Sequence, residues 1–194
     1  MVSRFLVRAV DDPSDDEARA NMLLAASYAG VGFGNAGVHL PHAMSYPVAG
    51  MVKGFRPPGY QVDHPMIPHG ISVILHTPAV VRFTAPACPE RHLKAAIALG
   101  AQVGQDFHPA KSVVGQTFLS ADLENAGDIL ADRVIHFMRL LNMPNGLAAV
   151  GYTESDIPAL VQGTLPQHRV TKLSPRPAGE AELAELFRQS MRVW

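Results

Sequence analysis

Ser120–Leu141, SADLENAGDILADRVIHFMRLL, decides the fold class. Ile129, Leu130, Val134, Phe137, Met138 and Leu141 recur at helical spacing and make one apolar stripe against a polar face. Asn142, Pro144 and Gly146 follow at once and close the helix. Working outward, the same signals return. Thr153-Glu154-Ser155-Asp156 has the form of a capping box and opens a helix ending at Gly163. Glu180 to Met191 reads as an amphipathic helix on Leu183, Leu186, Phe187 and Met191. Upstream, Pro89 to Leu99 is a short helix stopped by Gly100, and Ile71 to Phe83 is a buried helix that Pro78 bends or ends. His39 to Gly50 predicts a further helix, interrupted near Pro47. Asp12-Pro13, followed by Asp15, Asp16 and Glu17, reads as a helix start with carboxylates at the positive end of the dipole. No period-2 strand and no repeat interrupts this pattern. The expectation is an all-α fold, a single helical domain over 1–194, with irregular segments near 53–68, 102–117 and 164–177.

Composition narrows the function classes. A formal net charge of −1 gives no electrostatic footprint for nucleic acid or membrane. A single cysteine, Cys88, rules out a disulfide within the chain and fits a reducing compartment. Met1 to Val10 carries two arginines, but acids begin at Asp11 and no apolar run follows, so it does not read as a signal peptide. The expected location is cytoplasmic, or the mitochondrial matrix in a eukaryote.

Two features carry chemistry. Ala18, Met22, Ala25 and Ala29 lead into Gly30-Val31-Gly32-Phe33-Gly34-Asn35-Ala36-Gly37. So many glycines destabilise a helix unless another backbone or a ligand comes close. No strand precedes Gly30, Gly32 and Gly34, so they do not form a dinucleotide-binding turn. Secondly, five of nine histidines fall between His39 and His76, and neutral imidazole is a common ligand for divalent transition metals. His42 lies among small residues, and His69 lies in Pro68-His69-Gly70 at a helix start. A histidine beside a helix terminus is more often a cap or a hydrogen-bonded core group than a ligand. His39, three residues before His42, is a rival ligand on the same helix face. His64 reads as solvent-facing, His76 as a packing residue, and His92, His108, His136 and His168 as surface.

The run Gly34-Asn35-Ala36-Gly37-Val38-His39-Leu40-Pro41-His42-Ala43-Met44-Ser45-Tyr46-Pro47, followed by Pro68-His69-Gly70, resembles the second signature of the iron-containing alcohol dehydrogenases. The longer link between the two histidines, with Tyr60-Gln61-Val62-Asp63-His64-Pro65, is similar to the hydroxyacid-oxoacid transhydrogenase branch. So are Pro89-Glu90-Arg91-His92-Leu93, Asn145 to Tyr152, Asp156 to Leu160 and Thr171 to Pro177. The resemblance implies the helical C-terminal domain of that fold, with His42 and His69 as ligands of iron or zinc. It implies an oxidoreductase that passes a hydride from 4-hydroxybutyrate through NAD to 2-oxoglutarate.

The α/β NAD domain of the family is absent from the sequence, as are its other two metal ligands, an Asp and a His that would precede Met1. Many members have a histidine where Tyr46 stands, which leaves Tyr46 a weak candidate for proton transfer. Lys172 and Arg176 are the candidates for a substrate carboxylate, whereas Lys53 and Arg56 read as surface charges. Two functions stay open: an oxidoreductase component that is inactive alone, and a stand-alone helical binding or assembly module. The former implies a partner, either the NAD-binding domain or a second copy, and an apolar face around Gly30 to Gly37 and Met44 to Met51.

Overall fold

The structure, a computed structural model, describes residues 1–104 and 118–194; most of the irregular 102–117 segment, and with it His108, lies outside the described residues. Every regular element among the described residues is helical. No helix among them is long and apolar enough to cross a membrane.

The chain opens with α1 (Val2–Asp11), a helix that the N-terminal reading does not anticipate, and α2 (Asp16–Ala36). Asp12 is not the cap of α2. Its carboxylate accepts hydrogen bonds from Ser14 N and Oγ in a turn, and Asp15 caps α2 by accepting from Ala18 N. Arg8 on α1 pairs with Asp15 and Glu17 at 2.8 and 2.7 Å, which closes the corner. α2 runs through the glycines and stops at Gly37, whose φ of +76° ends the helical path. A Cβ built at Gly30, Gly32 or Gly34 meets nothing within 4 Å, so no part of the described chain makes the close approach expected there. Leu23, Tyr28, Val31 and Phe33 on the same helix are exposed.

α3 (Leu40–Gly50) is continuous through Pro47, where an interruption was expected. Proline inside a helix costs a hydrogen bond, but Pro47 fills the notch at Gly163, where a Cβ would sit 2.7 Å from it. Leu40, Met44 and Val48 are wholly buried, so the expected apolar surface from Met44 to Met51 is core except at its exposed end. The irregular loop that follows is tied to itself: Arg56 donates to the carbonyls of Val62 and Asp63, both at 2.9 Å.

The expected Ile71 to Phe83 helix is two helices, α4 (His69–Ile74) and α5 (Thr77–Thr84). The break falls at Leu75-His76, upstream of Pro78, because Pro78 occupies the first turn of α5, where its missing N–H has no partner to lose. After α6 (Pro89–Ala98) and the undescribed segment come α7 (Ser120–Glu124) and α8 (Ala126–Leu140), divided at Asn125. α8 packs against α5 and α6. Glycine within a helix costs about 1 kcal/mol, but a Cβ at Gly127 would lie 2.9 Å from Arg82 Cα. Close packing of α8 wins, since each of Leu130, Val134 and Met138 gains about 1.5–3 kcal/mol from burial.

Thr153 and Asp156 form the expected capping box ahead of α9 (Ile157–Thr164). The segment read as irregular after Thr164 contains the short α10 (His168–Thr171), and α11 (Glu180–Gln189) follows. α9 and α10 cover α3, and α11 covers α9. The core thus wraps the helix that carries His42.

Candidate metal centre

His42 stands in the first turn of α3 and His69 opens α4, two helices that pack together across the 51–68 loop. Each is followed three residues later by a buried serine. Ser45 Oγ donates to the His42 carbonyl at 2.7 Å, and Ser72 Oγ donates to the His69 carbonyl at 2.8 Å. These bonds fix the backbone under both imidazoles.

The rings face each other with centroids 5.3 Å apart and planes inclined at 58°. Two imidazoles that share one divalent ion through nitrogens at about 2.1 Å have centroids on the order of 5 Å apart. Neither ring makes a hydrogen bond among the described residues. Burial, and then the neighbouring His69, holds the His42 imidazole below its usual range, in the neutral form that binds metal. The pair therefore fits a divalent metal, as part of a larger ligand set. No third His, Cys, Asp or Glu among the described residues joins it.

Tyr46, one turn beyond His42, lies nearly parallel to the His69 ring, 16° off plane with centroids 6.5 Å apart. It is the one other candidate that the fold brings to the pair. His39 does not share a helix face with His42; it is the residue before α3, and its φ of −129° and ψ of −141° are not helical. Its Nδ1 is buried without a partner among the described residues, and burial, then His92, then His42 holds it neutral.

The candidate cations divide. Lys53 is paired with Asp156 at 2.6 Å, and Arg56 is spent on the loop carbonyls. Arg176 stacks its guanidinium 4.2 Å over the Phe83 ring and donates to the Phe83 carbonyl, so it secures the 174–178 segment to α5. Lys172, exposed after α10, has no acidic partner among the described residues. The next residue, Leu173, sits where a Cβ on Gly37 would be, which sets this segment against the turn into α3.

Two residues gain weight that spacing alone did not give them. His76 is fully buried and donates from Nε2 to the Pro41 carbonyl, beside His42. His92, read as surface, is buried and bonded to Thr84 and Cys88. Its signal was the four-residue spacing from Cys88, which puts both side chains on one side of a helix start.

The sequence pattern of the Fe-containing alcohol dehydrogenase family, C-terminal, matches residues 1–191. Over its whole length the chain is 56% identical to the mitochondrial hydroxyacid-oxoacid transhydrogenase of Xenopus tropicalis and 50% identical to that of Homo sapiens. It spans 39% and 38% of those two proteins. Among solved structures, 97% of the chain superposes on 41% of the archaeal alcohol dehydrogenase ADH/D1 bound to NZQ, with a TM-score of 0.76 and 25% identity. The same share superposes on 42% of a 1,3-propanediol oxidoreductase, with a TM-score of 0.75 and 24% identity. All these matches are to one part of a longer protein.

Proposed function

The chain belongs to the iron-containing alcohol dehydrogenase family, as its C-terminal part, and from that premise we propose that it is the metal-binding half of a hydroxyacid-oxoacid transhydrogenase. The observation that carries this reading is the facing His42–His69 pair, whose rings make no hydrogen bond among the described residues. The overall reaction is 4-hydroxybutyrate plus 2-oxoglutarate to succinate semialdehyde plus 2-hydroxyglutarate. When bound, the divalent metal, iron or zinc, supplies Lewis-acid polarisation of the substrate oxygen, and NAD supplies the hydride carrier.

This chain's own residues hold and orient. His42 and His69 are two of the metal ligands, and the remaining ligands and the NAD site belong to the portion of the relatives that this chain does not span. Ser45 and Ser72 keep the two imidazoles in register. Lys172 offers a cation to a substrate carboxylate, and Arg176 holds the segment that carries it. Tyr46, whose ring lies parallel to that of His69, is the candidate for moving a proton at the substrate oxygen. On this reading the chain alone neither binds NAD nor turns over, and its setting in a eukaryote is the mitochondrial matrix.

The test is a chimera in which this chain replaces its counterpart in the Xenopus tropicalis relative. The chimera should bind one divalent metal and exchange hydride between the two acids. His42→Ala and His69→Ala should each abolish metal retention and turnover while the fold persists. Folded variants that keep both would overturn the assignment. An inert chimera that retains NAD and metal would instead favour an assembly module without catalysis.

A further inference from the structure

The chain from His69 to His76 meets the start of α3 at two points. His69 and His76 are seven residues apart, close to two helical turns. Leu75 keeps to the helical path between them, its N–H bonded to the Ile71 carbonyl at 3.2 Å. At the first point the His69 ring faces the His42 ring, with 5.3 Å between centroids. At the second, His76 Nε2 donates to the Pro41 carbonyl oxygen at 2.7 Å. That oxygen belongs to the peptide unit that joins Pro41 to His42. The helix of one ligand is therefore followed at once by a side chain that grips the backbone of the other.

Stability does not account for a histidine at this position. The ring is fully buried, edge-on to Phe187 with centroids 6.3 Å apart, and its Nδ1 has no partner among the described residues. An unpaired buried nitrogen costs more than one neutral hydrogen bond contributes, so an apolar ring of the same shape would stabilise the core at least as well. Pro41 does not need the bond either, since a carbonyl in the first turn of a helix already accepts from the backbone four residues on. What the bond does supply is a fixed distance. The Ser45 and Ser72 bonds each stay within one helix and set no separation between helices. The His76–Pro41 bond spans from the end of α4 to α3.

We propose that His76 is a positioning residue of the metal centre, a strut that sets the separation of His42 and His69 and with it the affinity of the pair for a divalent ion. The proposal rests on the reading of His42 and His69 as ligands. Two imidazoles hold one ion well only when their spacing is set beforehand, because ordering them at the moment of binding subtracts from the affinity. Without the strut, α3 and α4 remain packed through their apolar residues, but the Pro41–His42 peptide is free to turn and the facing rings lose their register.

Zinc is titrated calorimetrically into the 194-residue chain, and His42→Ala reports how much of the binding belongs to the pair. His76→Phe keeps the ring against Phe187 but has no donor. It should weaken zinc at the pair by about tenfold, the low end of what an outer partner contributes, while its circular dichroism stays native. His76→Gln retains a donor and should recover most of that loss. Leu130→Ala removes a buried side chain from α8, which packs on α5 and α6; it should lower stability and leave zinc binding as in the parent. A folded His76→Phe with parental zinc affinity overturns the proposal, and so does a Leu130→Ala that weakens zinc as much. Zinc binding that His42→Ala leaves unchanged removes the ligand reading itself, and the proposal with it. If His76→Phe does not fold, the parent decides by nuclear magnetic resonance. The His76 Nε2–H signal should shift as zinc fills the pair, and a signal that stays in place overturns the strut.

Discussion

His76 donates its Nε2 hydrogen to the carbonyl oxygen of Pro41 at 2.7 Å, joining the start of α5 to the first turn of α3. A carbonyl can only accept, so the tautomer is fixed with its hydrogen on Nε2. Burial pushes His76 down to about 4, against an ordinary value of 6.5, and its Nδ1 has no partner among the described residues. As pH falls the unfolded chain takes up the proton first, so this group's stabilisation is whole above about pH 6.5 and lost towards about pH 4. The full loss is about 3 kcal/mol. His76→Gln keeps a donor and removes the titration. Urea midpoints across that range should fall less steeply in the variant; parallel curves would refute the account.

Two glycines should respond to alanine in opposite directions. Gly146 has a φ of +76°, and a Cβ there would lie 2.5 Å from Ser190 O and 2.6 Å from Met191 O. Gly146→Ala should cost about 3 kcal/mol, since both conformation and backbone contact forbid it. Gly32 is helical with open space around it, and Gly32→Ala should stabilise the chain by up to about 1 kcal/mol. Thermal melts check both signs. In the chimera, Gly32→Ala should lose this benefit if the missing half packs there.

Asp156 serves as a cap and as an ion-pair partner. It accepts from Thr153 N at 2.9 Å and from Lys53 Nζ at 2.6 Å, and the lysine is the main reason its carboxyl lies below the usual range. The lysine side chain is about half exposed (48%), so the pair adds little and the cap dominates. Asp156→Ala should cost about 1–2 kcal/mol and Lys53→Ala under about 1 kcal/mol. Equal losses in denaturant titrations would mean that the ion pair, not the cap, holds this corner.

Leu23 and Val31 are 73% and 66% exposed on one helix whose main packing partner is α1. Exposed apolar patches of this kind mark interaction sites. Sedimentation velocity at rising concentration should show self-association of the isolated chain, relieved by Leu23→Ser with Val31→Ser. A monomer at all concentrations, unchanged by the substitutions, would leave this face without a partner.

Local signals were legible where the chain satisfies its own backbone. The Thr153–Asp156 box, the stripe of α8 and the stop at Gly100 all appear as read. What eluded the sequence depends on distant neighbours. Pro47 breaks nothing because Gly163 makes room for it, and His92 is buried because α6 packs along α8 while its first turn meets Thr84 at the end of α5. Spacing placed His42 and His69 on helices of their own but could not bring those helices together. That required α3 and α4 to share a face, which only the folded chain reveals.

The covering of α3 also has a consequence in time. Its buried Leu40, Met44 and Val48 are shielded by α9 and α10, and Tyr152 Oη donates to the Val48 carbonyl at 2.7 Å from far down the chain. At the usual pace of synthesis, about 5–20 residues per second, roughly 5–20 s separate the emergence of α3 from that of Tyr152. Throughout that interval an apolar helix waits on the ribosome for its lid. A nascent chain of this design invites chaperone capture before α9 arrives, and a ribosomal pause between residues 50 and 152 would lengthen that exposure.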